Sequence, residues 1–201
     1  MTKACYVGVA GKARKVKKIY TGVANKARKV KKAYVGVGGK ARLFYSAEQK
    51  LSYYGTVTGL SQARGFLAAT TVGSYGLFGG GSSSSSHSTV DAYSTSLVRS
   101  TPTALSQARN GVAATTVGSY ALFAGGCDPA MLFSSSYSTV DAYSTSLVRS
   151  TPTALSQARA FLAATTVGSY GLFGGGASKV EFVNLNSKVY ATAVVDVYNL
   201  T

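Results

Sequence analysis

This 201-residue chain has no tryptophan, one histidine (His87), two cysteines (Cys5 and Cys127), three prolines and only six acidic residues against 21 lysines and arginines. Each shortage excludes something. One histidine and two distant cysteines make no metal-ligand cluster and no disulfide framework, so two ordinary reduced thiols are expected. His87 closes a run of serines and reads as a polar loop residue rather than a catalytic base. The nucleophile signature GxSxG and the phosphate-loop signature GxxxxGK[ST] do not occur. Long apolar runs are lacking too. None approaches the roughly 20 residues that cross a bilayer, so no membrane span is expected. Lys12, Arg14, Lys15 and Lys17 break up any signal-peptide core after Lys3, which implies a chain made and first folded in the cytosol.

Charge is present, but in one place. Residues 1–43 hold 13 Lys or Arg and no Asp or Glu, whereas the other 158 residues hold 8 basic and 6 acidic ones. Nearly all of the formal +15 therefore sits in an N-terminal arm, where it attracts polyanions or acidic surfaces. The arm is itself periodic: YVGVAGKARKVKK from Tyr6, YTGVANKARKVKK from Tyr20 and YVGVGGKARLFYS from Tyr34, a step of 14 residues. Each copy joins a β-prone run to a basic run through a small-residue pair, Ala10-Gly11, Ala24-Asn25 or Gly38-Gly39, which suits a hairpin turn. The spacing predicts β-hairpin repeats over residues 1–46.

Residues 47–201 repeat with a longer step. LSQAR recurs at Leu60, Leu105 and Leu155, AATTVGSY at Ala68, Ala113 and Ala163, and a glycine cluster follows each time. STVDAYSTSLVRSTP occurs at Ser88 and Ser138, with a diverged VVDVYNL at Val194; residues 88–109 and 138–159 are identical. FLAATTV, YGLFGG, TVDAYST and a segment around Leu97–Leu105 predict four short strands per unit, with Pro102 and Pro152 at an edge or strand start. Insertions fall at one point, between the glycines and VDAY: Ser82–Ser86, then CDPAMLFSS from Cys127, then ASKVEFVNLNSKVYATA from Ala177. Loops of variable length at one fixed point of a repeat suit recognition. Residues 48–58 are a candidate extra strand.

The pattern of an Arg, an apolar strand, a Gly doublet after Leu-Phe and a spaced Tyr resembles kelch repeats. The residues that carry it are Arg64, Arg109 and Arg159; Gly79-Gly80, Gly125-Gly126 and Gly174-Gly175; Tyr93, Tyr143 and Tyr198. Kelch units usually carry a Trp after the Tyr, and three units are fewer than the four to eight of a closed propeller. The arm resembles YVGVxGKARKVKK repeats of structural proteins of bacteriophages that infect Gram-positive bacteria. The resemblances imply an all-β fold, basic hairpin repeats followed by about three kelch-like four-stranded blades. They imply a virion component made in the bacterial host cytoplasm, such as a tail, fibre or head appendage.

The function expected is non-catalytic and structural or adhesive. Arg14, Lys15, Lys17, Lys18, Arg28, Lys29, Lys31 and Lys32 would dock the arm, and the blade loops would present a surface. Asp91, Asp141 and Asp196 occupy equivalent repeat positions and read as structural, bonding backbone around a turn. Expected partners are further copies of the chain, other virion proteins and a host-surface glycan or protein; no cofactor is expected. Two alternatives stand beside this: nucleic-acid binding through the arm, and a carbohydrate-binding propeller, which the absent Trp and missing paired carboxylates disfavour.

Overall fold

The computed structural model describes residues 6–9, 12–15, 19–23, 26–30, 32–37, 40–46, 51–128, 135–183 and 186–200. These contain strands and connections but no helix. The chain divides into two compact units, Met1–Gly55 and Thr56–Thr201.

In the first unit each 14-residue repeat is one antiparallel hairpin. β1 (Tyr6–Val9) pairs with β2 (Lys12–Lys15), β3 (Tyr20–Val23) with β4 (Lys26–Lys29), and β5 (Lys32–Val37) with β6 (Lys40–Ser46). The β-prone Tyr-x-Gly-Val run is one arm of each hairpin and the Lys-Ala-Arg run the other, closing at Val9↔Lys12, Val23↔Lys26 and Val37↔Lys40. The small-residue turn pairs lie outside the described residues. Residues 51–60 form no strand, and Leu51, Tyr53 and Tyr54 are exposed, so the extra strand expected over 48–58 is absent from its described part. Glu48 to Lys50 lie outside the described residues.

The second unit holds three antiparallel sheets, one per long repeat. The first contains β7 (Ala68–Val72), β8 (Tyr75–Gly79), β9 (Val90–Tyr93) and β10 (Arg99–Ser100) in that order. The second repeats it with β11 (Ala113–Val117), β12 (Tyr120–Ala124), β13 (Val140–Ser144) and β14 (Arg149–Ser150). The third has three strands, β15 (Ala163–Val167), β16 (Tyr170–Gly174) and β19 (Val195–Tyr198). Its insertion forms a separate hairpin, β17 (Ala177–Val183) with β18 (Asn186–Ala191), where the sequence suggested a loop.

The strands follow from local chemistry. Ala-Thr-Thr-Val favours extended backbone, and Gly-Ser then makes a two-residue turn, closed at Val72↔Tyr75, that requires positive φ. Gly73 supplies it at φ 54°. The fourth strand is shorter than the sequence suggests, two residues rather than a run to Leu105. A turn at Ser94–Leu97, with the Leu97 N–H donated to the Ser94 carbonyl, shortens it on one side. On the other, Pro102 removes a donor two residues beyond its end.

The sheets stack face to face in sequence order. Val72, Leu77, Val90 and Ala92 of the first sheet bury against Ala121, Phe123 and Tyr143 of the second. The second then offers the equivalent Val117, Leu122, Val140 and Ala142 to Phe173, Ala164 and Tyr198 of the third. Threonines knit the first strands together: Thr70 and Thr116 hydroxyls lie 2.8 Å apart, and those of Thr115 and Thr166 2.7 Å apart. The glycine doublet permits this closeness. Gly125 has φ 67°, and a Cβ there would lie 2.5 Å from the Arg159 carbonyl. We predict that Gly125→Ala lowers unfolding stability by about 2–4 kcal/mol, combining left-handed strain with a backbone clash. Urea denaturation measures it, and a loss below about 1 kcal/mol would show that the doublet tolerates a side chain.

Candidate functional site

The chemistry-bearing residues of the long repeats converge on one motif, built three times. The Arg64 guanidinium meets the Asp91 carboxylate at 2.8 Å, Arg109 meets Asp141 at 2.8 Å, and Arg159 meets Asp196 at 2.7 Å. In the first two pairs both side chains are fully buried. The same arginines also donate to strand carbonyls, those of Phe78, Phe123 and Phe173. Backbone N–H groups of Ser61, Ser106 and Ser156 donate to the carboxylates from the other side. A second arginine joins in the first two repeats, Arg99 at 3.8 Å from Asp91 and Arg149 at 3.1 Å from Asp141. Each Asp therefore bolts the LSQAR segment onto β9, β13 or β19.

Beside each pair a tyrosine does the same for the segment's start. Tyr93, Tyr143 and Tyr198 donate their hydroxyls to the carbonyls of Thr58, Thr103 and Thr153. Their rings stand edge-on to Phe78, Phe123 and Phe173, with centroids 5.8–5.9 Å apart. Burial, together with the nearby Asp196 charge, pushes the Tyr198 phenol up to about 12, and Tyr143 is raised further still. At Asp91, desolvation alone would raise the carboxyl. The Arg64 hydrogen bond, the Ser61 donors and the Arg64 charge outweigh it and hold the group below its ordinary value. Burial lowers the Arg109 guanidinium from its usual value against the pull of Asp141. The Cys127 thiol is buried, donates to Asn110 Oδ1 at 3.1 Å, and is pushed up to about 11, which leaves it unreactive at neutral pH.

The insertions share one root. Ser82, Cys127 and Ala177 pair with Gly65, Asn110 and Ala160, the residues directly after each LSQAR. Next along the chain stand Phe66, Gly111 and Phe161, all at positive φ of 53–61°. Phe66 and Phe161 are exposed and meet edge-on at 6.4 Å across Gly111. The roots and the aromatic pair share one rim of the stack. There His87 bonds Ser83 at 2.9 Å. On the third insertion Lys188 lies 4.9 Å over the Tyr190 ring.

Of the proposed docking residues, Arg14 and Lys15 lie on β2, Arg28 and Lys29 on β4, and Lys32 opens β5; Lys17, Lys18 and Lys31 lie outside the described residues. Lys26, Lys29 and Lys32 are exposed. Gly79 and Gly174 end their strands, while Gly80, Gly125 and Gly175 take φ of 67–70° just beyond. Sequence reasoning placed the acids at backbone turns and missed that each is the partner of its repeat's arginine. The co-recurrence of one Arg and one Asp in every unit was the available signal. Phe66 and Phe161 gave none, because bulky residues rarely adopt positive φ.

No protein-family model and no curated protein matches this chain. Solved structures do match, 139 chains in all. One is the structure of YjhT, at 16% identity and a TM-score of 0.54, covering 74% of this chain and 48% of that one. This chain thus spans about half of YjhT's length. The likeness is one of fold.

Because both partners are fully buried, removing one strands a charge. We predict that Asp141→Ala costs about 3–5 kcal/mol of stability by thermal or urea unfolding. Asp91 adds a pH dependence. A depressed native pKa contributes stability that is fully present above the unfolded value of about 3.9 and is lost as pH falls through the native one. The gap between wild type and Asp91→Asn is therefore expected to be full above about pH 5 and to shrink on acidification. Unfolding curves between pH 3 and 7 measure it; a gap constant with pH contradicts the assignment.

Proposed function

We propose that this chain is a non-catalytic structural and adhesive component of a bacteriophage particle, its stacked sheets being consecutive blades of a kelch-like propeller. The observation that carries the reading is how the repeat chemistry is deployed. The three carboxylates at equivalent positions are each held by a buried arginine and a serine N–H, which suits a framework and not proton transfer. The insertions, which differ most in length between the repeats, spring from one bridge position beside the exposed Phe66–Phe161 pair. A constant frame with variable loops on one rim fits the presentation of a surface to a host protein or glycan. The sequential stacking of antiparallel sheets and the fold likeness to YjhT support the blade reading.

The arm supplies attachment in this reading. Its basic hairpins dock on an acidic surface of another virion protein, with Arg14, Lys15, Arg28, Lys29 and Lys32 on the strands. Mass spectrometry of particles purified from an infected bacterial lysate is expected to find the chain at several copies per particle. Its absence from particles but presence in the soluble lysate rejects the reading.

The exposed Lys26, Lys29 and Lys32 favour a second reading, nucleic-acid binding by the arm. Titration with duplex DNA separates the two. A phosphate-binding arm loses affinity steeply with salt, with a log–log slope of roughly −0.9 per contact. A protein-docking arm is expected to show only weak DNA binding at physiological salt.

A further inference from the structure

We propose that the open face of the third sheet docks onto the open face of the first sheet of a second copy, and that two copies close head to tail through two such junctions. This goes beyond the virion reading and does not depend on it.

The junction is already visible twice inside the chain. At the first, Val72, Val90 and Ala92 are at most 1% exposed under the second sheet; at the second, Val117, Val140 and Ala142 are at most 4% exposed under the third. Their equivalents on the third sheet, Val167, Val195 and Val197, are 59%, 53% and 56% exposed. A terminal repeat that ends in solvent usually carries a polar outer face. Here the reverse holds, since the alanine of the first two sheets has become valine at 197. The face is built to be covered.

The surface that covers such a face in the two internal junctions also exists, unoccupied by another sheet of the second unit, at the other end of the stack. In the second and third sheets it is made by Phe123 with Tyr143 and Phe173 with Tyr198; in the first sheet it is Phe78 with Tyr93, only partly buried. Steric fit agrees. A Cβ at Gly171 would run into the Val117 side chain of the preceding sheet, whereas its equivalent Gly76 has nothing within 4 Å. Likewise Thr145 lies over Gly73 and Leu200 over Gly118, whereas Gly168 is open.

Backbone groups match as well. Four backbone bonds cross each internal junction: Gly81 N–H to Arg109 carbonyl, Leu105 N–H to Ser88 carbonyl, Arg109 N–H to His87 carbonyl and Gly111 N–H to Phe66 carbonyl at the first. Gly126 to Arg159, Leu155 to Ser138, Arg159 to Tyr137 and Phe161 to Gly111 repeat them at the second. By the same spacing, Gly176 N–H would meet Arg64 of the second copy, and Leu60 and Arg64 N–H groups would meet Ala193 and Thr192. The extent of the fold agrees too. Since 74% of this chain matches 48% of YjhT, two copies supply about as much chain as that fold contains.

The test uses the full 201-residue chain. Light scattering and native mass spectrometry are expected to give twice the chain mass. Gly76→Leu fills open space in a strand, so the monomer keeps its fold, yet it blocks the first-sheet face. Val197→Asp charges the third-sheet face. Each variant alone is expected to be monomeric at protein concentrations where wild type is dimeric, a loss of affinity of roughly tenfold or more, with unchanged circular dichroism. Mixing the two variants restores one intact junction, so a one-to-one heterodimer is expected. A monomeric wild type, a dimer indifferent to Gly76→Leu, or failure of the mixture to pair overturns the proposal. The first result would mean that the face takes another protein or further sheets of a longer chain; the second, that like faces pair.

Discussion

The buried arginine–aspartate contact is the interaction on which the second unit depends. It joins three things that would otherwise be independent: the segment entering a sheet, the third strand of that sheet, and the carbonyl of the strand between them. Asp141 alone gathers the Ser106 N–H and hydroxyl, Arg109 and Arg149. A buried pair of this kind is not a large net stabiliser, because desolvation of both ions offsets most of their attraction. Its value lies in geometry. The two charges meet only when the LSQAR segment lies at one depth and one register, and that segment is also the spacer between successive sheets. Gly81 and Gly126 donate to the carbonyls of the arginines themselves, so setting the arginine sets the spacing of the stack.

The long repeat was legible because its signals were local. Ala-Thr-Thr-Val followed by Gly-Ser names a strand and its turn within a few residues, and the 14-residue step of the arm did the same for the hairpins. What was hidden depended on distance. Arg109 and Asp141 are 32 positions apart, and nothing in their neighbours says that they meet. The fourth strand was overestimated because Leu97 and Val98 look β-prone, while a turn that holds Leu97 at φ 60° consumes them. The third insertion folded on itself because Lys-Val-Glu-Phe-Val and Ser-Lys-Val-Tyr are both extended runs, a hairpin signal that looks like a long loop when aligned with its shorter counterparts. Of the site, the repeat positions of arginine, glycine and tyrosine were readable; the exposed aromatic pair was not.

The two units divide the physics between them. The long repeats from Leu60 onward carry 7 of the chain's 21 Lys and Arg, and buried or half-buried arginines among them are spent on carbonyls and carboxylates. Nine of the arm's cations stand on two-stranded hairpins, each too narrow to build a core of its own. One unit uses charge to fix its own shape, and the other leaves charge available to its surroundings.

Residues 88–109 and 138–159 are identical, and they include β9 and β13, each hydrogen-bonded to a near-identical partner strand. During folding neither strand carries information about which sheet it belongs to; only chain connectivity decides, through the short reach from each glycine doublet. When many copies emerge together, a nascent β9 from one molecule finds the β12 of another as good a partner as its own. Misassembled, strand-exchanged aggregates are therefore the characteristic hazard of this sequence during synthesis. The unequal insertions also give each strand a tether of different length, and so a means of finding its own place.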